Sequence, residues 1–214
     1  MASLLDYVCA RAGIAYSSVS SSASLGVVTP AFTLHPGEDG KTAVRRLLAL
    51  IPDEAIARDG TFTSIYPDPA DSPVYDYGAG HAIISARYRE LTPEVNRARI
   101  VGAGVFSEAF AFDESAAAGE RIGLVSDLGL TTSPLADERA ETELRRAEVR
   151  SVDDEIVVFG VSCGQELHDV VSVTDPRAGL VSAVRRVIGL SWHYSAGAHR
   201  SRPRYDMTLR LGRP

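Results

Sequence analysis

The residues best suited to chemistry in this chain lie together in one short stretch, SCGQELHD at 162–169. Cys163 and His168 could form a nucleophile and a general base, since a thiol beside an imidazole is the attacking pair of cysteine hydrolases. Glu166, His168 and Asp169 could instead bind a metal ion, although no complementary pair of ligands stands out elsewhere in the sequence. A small hydrolase that uses Cys163 and His168 is therefore one candidate function.

The local pattern around these residues favours a structural role. Cys163 precedes a glycine at a predicted turn between strands, not a helix N-terminus that would lower the pKa of its thiol. His168 stands at the start of a strand pattern, and no neighbour in sequence would orient its imidazole. Gly164 permits a tight turn, and the apolar run at 170–173 then continues into a sheet. We predict a strand rim whose polar residues face solvent.

Two glycine pairs and two histidines have the residue types of ligand sites but not the full patterns. Gly78-Ala79-Gly80 and Gly102-Ala103-Gly104 lack both the third glycine with its helix and the Gly-Lys-Ser/Thr ending of phosphate-binding loops. We predict turns or bulges there. His193 and His199 flank a polar loop, but this segment has no carboxylate or thiol to complete a metal site. No catalytic, cofactor-binding or metal-binding residue is predicted.

The residues leave two more candidate functions open. Paired carboxylates could serve a hydrolase of another kind, such as a glycosidase, and the candidates lie around proline-rich turns: Asp53, Glu54, Asp68 and Asp71. A monomeric module that binds a carbohydrate or a protein would instead use exposed aromatic side chains: Tyr66, Tyr75, Tyr77 and Trp192.

Composition limits the classes of protein that fit. The 214 residues are enough for one large domain or two small ones, and 45% of them are hydrophobic, as in globular proteins. A net charge of −6 argues against a nucleic-acid binder. The two cysteines form neither a disulfide framework nor a zinc motif, and neither a signal peptide nor a membrane span is recognised. The cysteine usage fits synthesis in a reducing compartment.

The elements that carry these residues alternate between helices and strands. Apolar residues at helical spacing predict helices at 3–12, after Gly40 as far as Pro52, and near 134–150, where the last should lie on the surface. The serine-rich segment 17–24 is predicted to be a loop, FSEAFAFDES to be extended, and 119–130 is ambiguous. Strands are predicted in four late segments: EIVVFGV, DVVSVTD, VRRVIGLSWHYS and RPRYDMTLRLG.

These patterns predict an α+β fold, mainly antiparallel, with barrel-like subdomains and two or three helices. We predict an N-terminal α+β part at 1–92. A C-terminal barrel-like part at 93–214 should carry the surface helix.

The order of motifs in the chain resembles baseplate-hub and tail-tip proteins of bacteriophages and related contractile systems, the late-control-like hubs. One strand matches the pattern x-G-x-x-L-x-D-V-V-x-V-x-D through Gly164, Leu167, Asp169, Val170, Val171, Val173 and Asp175. The last strand matches Y-x-x-x-L-x-L-G through Tyr205, Leu209, Leu211 and Gly212. The segment 96–102 resembles the strand that begins the family's second barrel, and GKTAVRRLLALIPD resembles its upstream helix. The resemblance extends from 38 to 212.

The resemblance implies a structural protein without catalytic activity or cofactor. Such hubs form rings, often trimers, that join the tail tube to a central spike. The implied partners are copies of the chain and tube, spike and tape-measure proteins, with no membrane and no specific nucleic acid. The implied location is the virion tail or a prophage-derived particle, after synthesis in the host cytoplasm. Complete hubs usually begin with another barrel, so we expect a fragment or a reduced hub.

Overall fold

The computed structural model describes residues 1–78, 80–196 and 204–214. Its helices are α1 (Ala2–Arg11), α2 (Ala23–Val27), α3 (Gly40–Leu48), α4 (Phe112–Ala118) and α5 (Ser133–Val149). Its strands are β1 (Ala15–Ser18), β2 (Glu54–Arg58), β3 (Thr61–Ile65), β4 (Tyr75–Tyr77), β5 (Ile83–Arg87), β6 (Arg97–Val101), β7 (Phe106–Phe110), β8 (Ile122–Ser126), β9 (Asp154–Phe159), β10 (Val170–Asp175), β11 (Leu180–Ser195) and β12 (Arg204–Gly212). The predicted α+β class with mainly antiparallel strands is confirmed.

The chain divides into two compact units, and each takes two separate segments. Unit 1 comprises residues 1–67 and 93–147, and unit 2 comprises residues 68–92 and 148–214. The sequence-based division into 1–92 and 93–214 shares one boundary with these units and stays a prediction about domains.

Unit 1 contains two three-stranded sheets and the helices that cover them. The sheets have the orders β1-β3-β2 and β7-β6-β8. The predicted apolar face of α3 is confirmed, since its Ala43 and Leu47 are fully buried. They share a core with Leu5 of α1, Ile100 of β6 and Ala140 of α5.

Two sequence expectations in unit 1 are wrong. The serine-rich segment 17–24 is a loop only at 19–22, because its start belongs to β1, which pairs in parallel with β3, and its end belongs to α2. The hydroxyls of Tyr16 and Ser17 pair with those of Ser64 and Thr63, which lie 48 and 46 residues away and leave no local signal. FSEAFAFDES is extended only as far as Phe110. Acids in the first turn and a run of alanines then form α4. The ambiguous segment 119–130 contains β8.

Unit 2 is built on one six-stranded sheet with the order β4-β10-β11-β12-β9-β5. Strands β9 to β12 are antiparallel in Greek-key order, since β9 returns to pair with β12. One face forms the core through alternating side chains, among them Ile156, Val158, Val173, Met207, Leu209 and Leu211, all fully buried. The four late strands predicted from the sequence are confirmed over their described residues, which for the last of them begin at Arg204.

The sheet of unit 2 curls until strands distant in its order meet. In a flat sheet β4 and β9 would lie about 19 Å apart, four spacings of about 4.8 Å. Instead, the Tyr75 hydroxyl of β4 lies 3.1 Å from Nδ1 of His81, and Nε2 of the same imidazole lies 2.7 Å from the carbonyl oxygen of Phe159 in β9. His81 therefore bridges β4 and β9 across the curled, barrel-like sheet.

Acid should weaken unit 2 through Asp175, the last residue of β10. Hydrogen bonds from Arg177 and then from the Tyr88 hydroxyl hold the pKa of Asp175 at about 2, below its ordinary 3.8. A carboxylate with a lowered folded-state pKa stabilises fully above its unfolded pKa, and this contribution is lost as pH falls from about 4 to about 2. The urea midpoint of the wild type should decrease as pH is lowered through that window. The decrease should be smaller in D175N. An equal dependence of the midpoint on pH in both proteins would contradict the role of Asp175.

Candidate assembly surface

The residues that suggested cysteine chemistry serve the fold of unit 2. Cys163 is an exposed free thiol. His168 has a left-handed backbone with φ 70°, and its N–H donates to the carbonyl of Val187 at 2.7 Å. This backbone bond continues the pairing with β11 to a residue that precedes the start of β10. The neighbourhood of His168 is therefore the strand rim that the sequence predicted.

The expectation that the whole polar stretch faces solvent is wrong for Gln165, which is buried. The buried Tyr77 hydroxyl donates to Oε1 of Gln165 at 2.9 Å, and Nε2 of Gln165 donates to Asp169 at 2.7 Å. A buried phenol requires an acceptor, and Gln165 supplies it. Burial also raises the pKa of Tyr77. These groups form a closed internal network.

Three of the carboxylates considered for a hydrolase, Asp53, Glu54 and Asp71, have hydrogen-bond or ion-pair partners within the protein. Asp53 has no exposed surface, and it accepts hydrogen bonds from the backbone N–H and the hydroxyl of Ser22. Burial raises the pKa of Asp53, as a general acid would need, but an enclosed carboxyl cannot reach a substrate. Asp71 accepts from Nη1 of Arg186 at 3.0 Å. Glu54 lies 3.4 Å from Nε of Arg146.

The structure tests the predictions about metal sites and membrane spans only for the residues that it describes. His199 lies outside them, so the pair His193 and His199 is untested. Among residues 1–78, 80–196 and 204–214, no group of three or more metal-ligating side chains comes together. The helices of these same ranges are all too short or too polar to cross a bilayer.

The outer portion of the β11–β12 hairpin, residues 188–195 and 204–207, is here called the hairpin arm, and its residues 191–195, 204 and 205 are exposed. Strand β11 is 16 residues long, but β10 pairs with it only from Leu180 to Arg186. Within the described ranges no strand pairs with 188–195 on the side away from β12. The hairpin arm thus presents an open edge of backbone donors and acceptors, which can accept another strand.

The face of the hairpin arm continues the core face of the sheet. Trp192 is paired with Met207, which is fully buried, and Tyr194 is paired with Tyr205. Cross-strand partners share a face, so these aromatic side chains extend the buried stripe beyond the sheet. Trp192 is 55% exposed, Tyr194 64% and Tyr205 46%. The rings of Tyr194 and Tyr205 meet edge to face, with centroids 6.0 Å apart. Exposed core-type aromatics of this kind mark an interaction surface.

The sequence identified only part of this surface. It indicated Trp192 as an exposed aromatic, but not its companions Tyr194 and Tyr205. The alternation Leu190, Trp192, Tyr194 carried the signal, because it continues the period-2 core pattern of the strand. Of the other aromatics that a binding module would use, Tyr77 is fully buried and cannot contact a ligand.

The fold of the chain matches solved structures of tail proteins. The 43 kDa tail protein of prophage MuSo2 from Shewanella oneidensis has a TM-score of 0.67 and 17% identity, over 100% of this chain and 63% of that chain. The tail protein from Neisseria meningitidis MC58 has a TM-score of 0.72 and 15% identity, over 99% and 66%. A chain in the virion of a native gene transfer agent particle has a TM-score of 0.64 and 21% identity, over 99% and 47%.

This chain therefore shares its fold with these two tail proteins and with the chain of the virion particle, and it spans less than two thirds of the length of each. No protein-family model matches the sequence, and no curated protein does.

Proposed function

We propose that this protein is a structural component of the tail tip or baseplate hub of a phage or phage-like particle. The observation that carries the proposal is the match of the whole chain to two solved tail proteins and to a chain of a virion particle. In this role copies of the chain form a ring, a trimer, that joins the tail tube to a central spike and meets the tape-measure protein. The role needs no catalytic residue, cofactor, membrane or nucleic acid, and its place is the virion tail after synthesis in the host cytoplasm.

The hairpin arm supports assembly as the function. A ring needs heterologous contacts, in which one surface of a copy meets a different surface of the next. An open strand edge with exposed aromatics suits such a contact, because backbone hydrogen bonds and apolar burial act together. The exposed Trp192 and Tyr194 have the side chains most enriched at the centres of interfaces.

The solution mass of the purified chain tests this function. Light scattering over a wide range of concentrations should give the mass of a trimer, or of a larger closed ring, above a threshold concentration. A mass that stays at 22.9 kDa at every concentration would overturn ring assembly by this chain.

Shortening an aromatic side chain of the hairpin arm should weaken assembly of the ring. The change W192S, or Y194S, should raise the concentration at which half the chains are assembled by about tenfold or more, because each removes an exposed aromatic from the contact. V181S is the matched control, since Val181 lies at the other end of β11 and is 81% exposed. Equal midpoints for W192S and V181S would exclude the hairpin arm from the interface.

A further inference from the structure

Unit 1 has an open apolar pocket of about 650 Å³ between α1, α3 and the strands β2 and β3. Most of its lining is apolar and comes from Val8, Cys9, Ala12, Ile14, Val44, Leu48, Ala55 and Phe62. This volume lies within the range of pockets that hold drug-sized ligands. It is ample for a phenyl ring and the side chains next to it.

The rim of this pocket is cationic. Lys41 and Arg45 lie one turn apart on α3, and both line the pocket with exposed side chains. Among the described residues neither has a carboxylate within ion-pairing distance, although Lys41 lies close enough to Asp39, the N-cap of α3, for their charges to interact. The acid of the rim, Glu54, already has Arg146 beside it at 3.4 Å. The pocket therefore suits an apolar group that is followed by a carboxylate.

Helix α4 has the complementary chemistry. Its first residue, Phe112, is 76% exposed and is held by a parallel stack on Phe110, with ring centroids 5.4 Å apart and an angle of 11°. Asp113 follows directly and is also exposed. None of the seven residues of α4 is buried within the chain. A rigid, exposed ring beside a carboxylate loses little conformational freedom when it enters a pocket.

We propose that Phe112 of one copy inserts into this pocket of a second copy, with Asp113 facing Lys41 of the partner subunit and Arg45 of the partner subunit. The inference rests on the proposed ring and names one of its contacts. Helix α4 and the pocket share no residue, so one copy can offer each of them to a different neighbour, as a heterologous contact requires. Each copy offers one projection and one pocket, and such contacts close into a ring when the rotation between copies allows it.

The first test compares two exposed phenylalanines of unit 1. F112A should raise the concentration at half assembly at least about tenfold, as expected for an aromatic anchor. F106A is the matched control, because Phe106 is 58% exposed on β7 and lies outside α4. It should leave the midpoint within about twofold of wild type. Both residues are exposed, so neither change should prevent folding.

A double-mutant cycle then tests whether Phe112 and the pocket meet. A12W fills the pocket from an exposed position and should weaken assembly about as much as F112A. If the two surfaces form one contact, that contact can be lost only once. The midpoint of the double variant should then equal that of whichever single variant assembles less well. Independent surfaces would instead give effects that multiply. On the rim, K41E should raise the midpoint and K41R should preserve it.

The outcomes separate this contact from the function on which it rests. A wild-type ring whose midpoint is unchanged by F112A or by A12W, or effects that multiply in the double variant, would overturn the contact and leave ring assembly standing. A wild type that stays monomeric would overturn both. Raised midpoints in F112A and in A12W, with a double variant whose midpoint is no higher than that of the more strongly affected single variant, would establish the contact.

Discussion

The substitution R186A should destabilise unit 2 by about 1–3 kcal/mol for each of the two backbone carbonyls that lose a hydrogen bond from its guanidinium, those of His168 and Asp68. Arg186 has no exposed surface, although it lies in strand β11. Its Nη1 donates to Asp71 at 3.0 Å and to the carbonyl of His168 at 2.8 Å, and its Nη2 donates to the carbonyl of Asp68 at 2.5 Å. The guanidinium thus ties the segment 68–71, just before β4, to the sheet.

The test can be confined to unit 2, because Trp192 is the single tryptophan of the chain and its fluorescence reports on this unit. Urea unfolding of R186A should show a much lower midpoint at the same protein concentration. R210A is the matched control, since Arg210 pairs with Asp153 at 3.2 Å but its side chain is 60% exposed. It should change the free energy of unfolding by less than about 1 kcal/mol. Similar losses for both variants would show that burial does not govern the effect.

The substitution G78A should cost unit 2 about 2–6 kcal/mol from two causes that act together. Gly78 has φ 107°, which an L-residue adopts only with strain of about 1–3 kcal/mol. A Cβ at this position would also overlap the carbonyl oxygen of Thr174, a backbone atom of β10 that must move to make room. Overpacking of this kind costs roughly another 1–3 kcal/mol. The close approach lets β4 end against β10 and the chain turn back towards His81.

The glycine at 164 provides the opposite case. Gly164 has no positive φ, and an added Cβ there meets nothing within 4 Å. G164A should therefore leave unit 2 unchanged or stabilise it by up to about 1 kcal/mol, because alanine reduces the freedom of the unfolded chain. Urea unfolding followed through Trp192 compares the two variants. Equal stability of G78A and wild type would mean that β4 can shift without loss.

Local patterns in the sequence determined the elements whose signals lie in one segment. The spacing of Ala43 and Leu47 predicted α3, the Ser133-Pro134 start predicted α5, and alternating apolar residues predicted the late strands. Hydrophobic periodicity suffices here because each element buries one face. The order of motifs between 38 and 212 also led to phage tail proteins, whose solved structures share the fold.

The tertiary structure alone decided features that depend on partners distant in the chain. The sequence predicted an exposed Gln165 and said nothing of Arg186, yet both are buried and bind partners 88 and 115 residues away. The strand β1 was missed for the same reason, since its partner β3 follows 46 residues later. The open edge of the hairpin arm likewise depends on where β10 ends beside β11. Pairing and burial over such separations leave no local periodicity, so only the folded chain could reveal them.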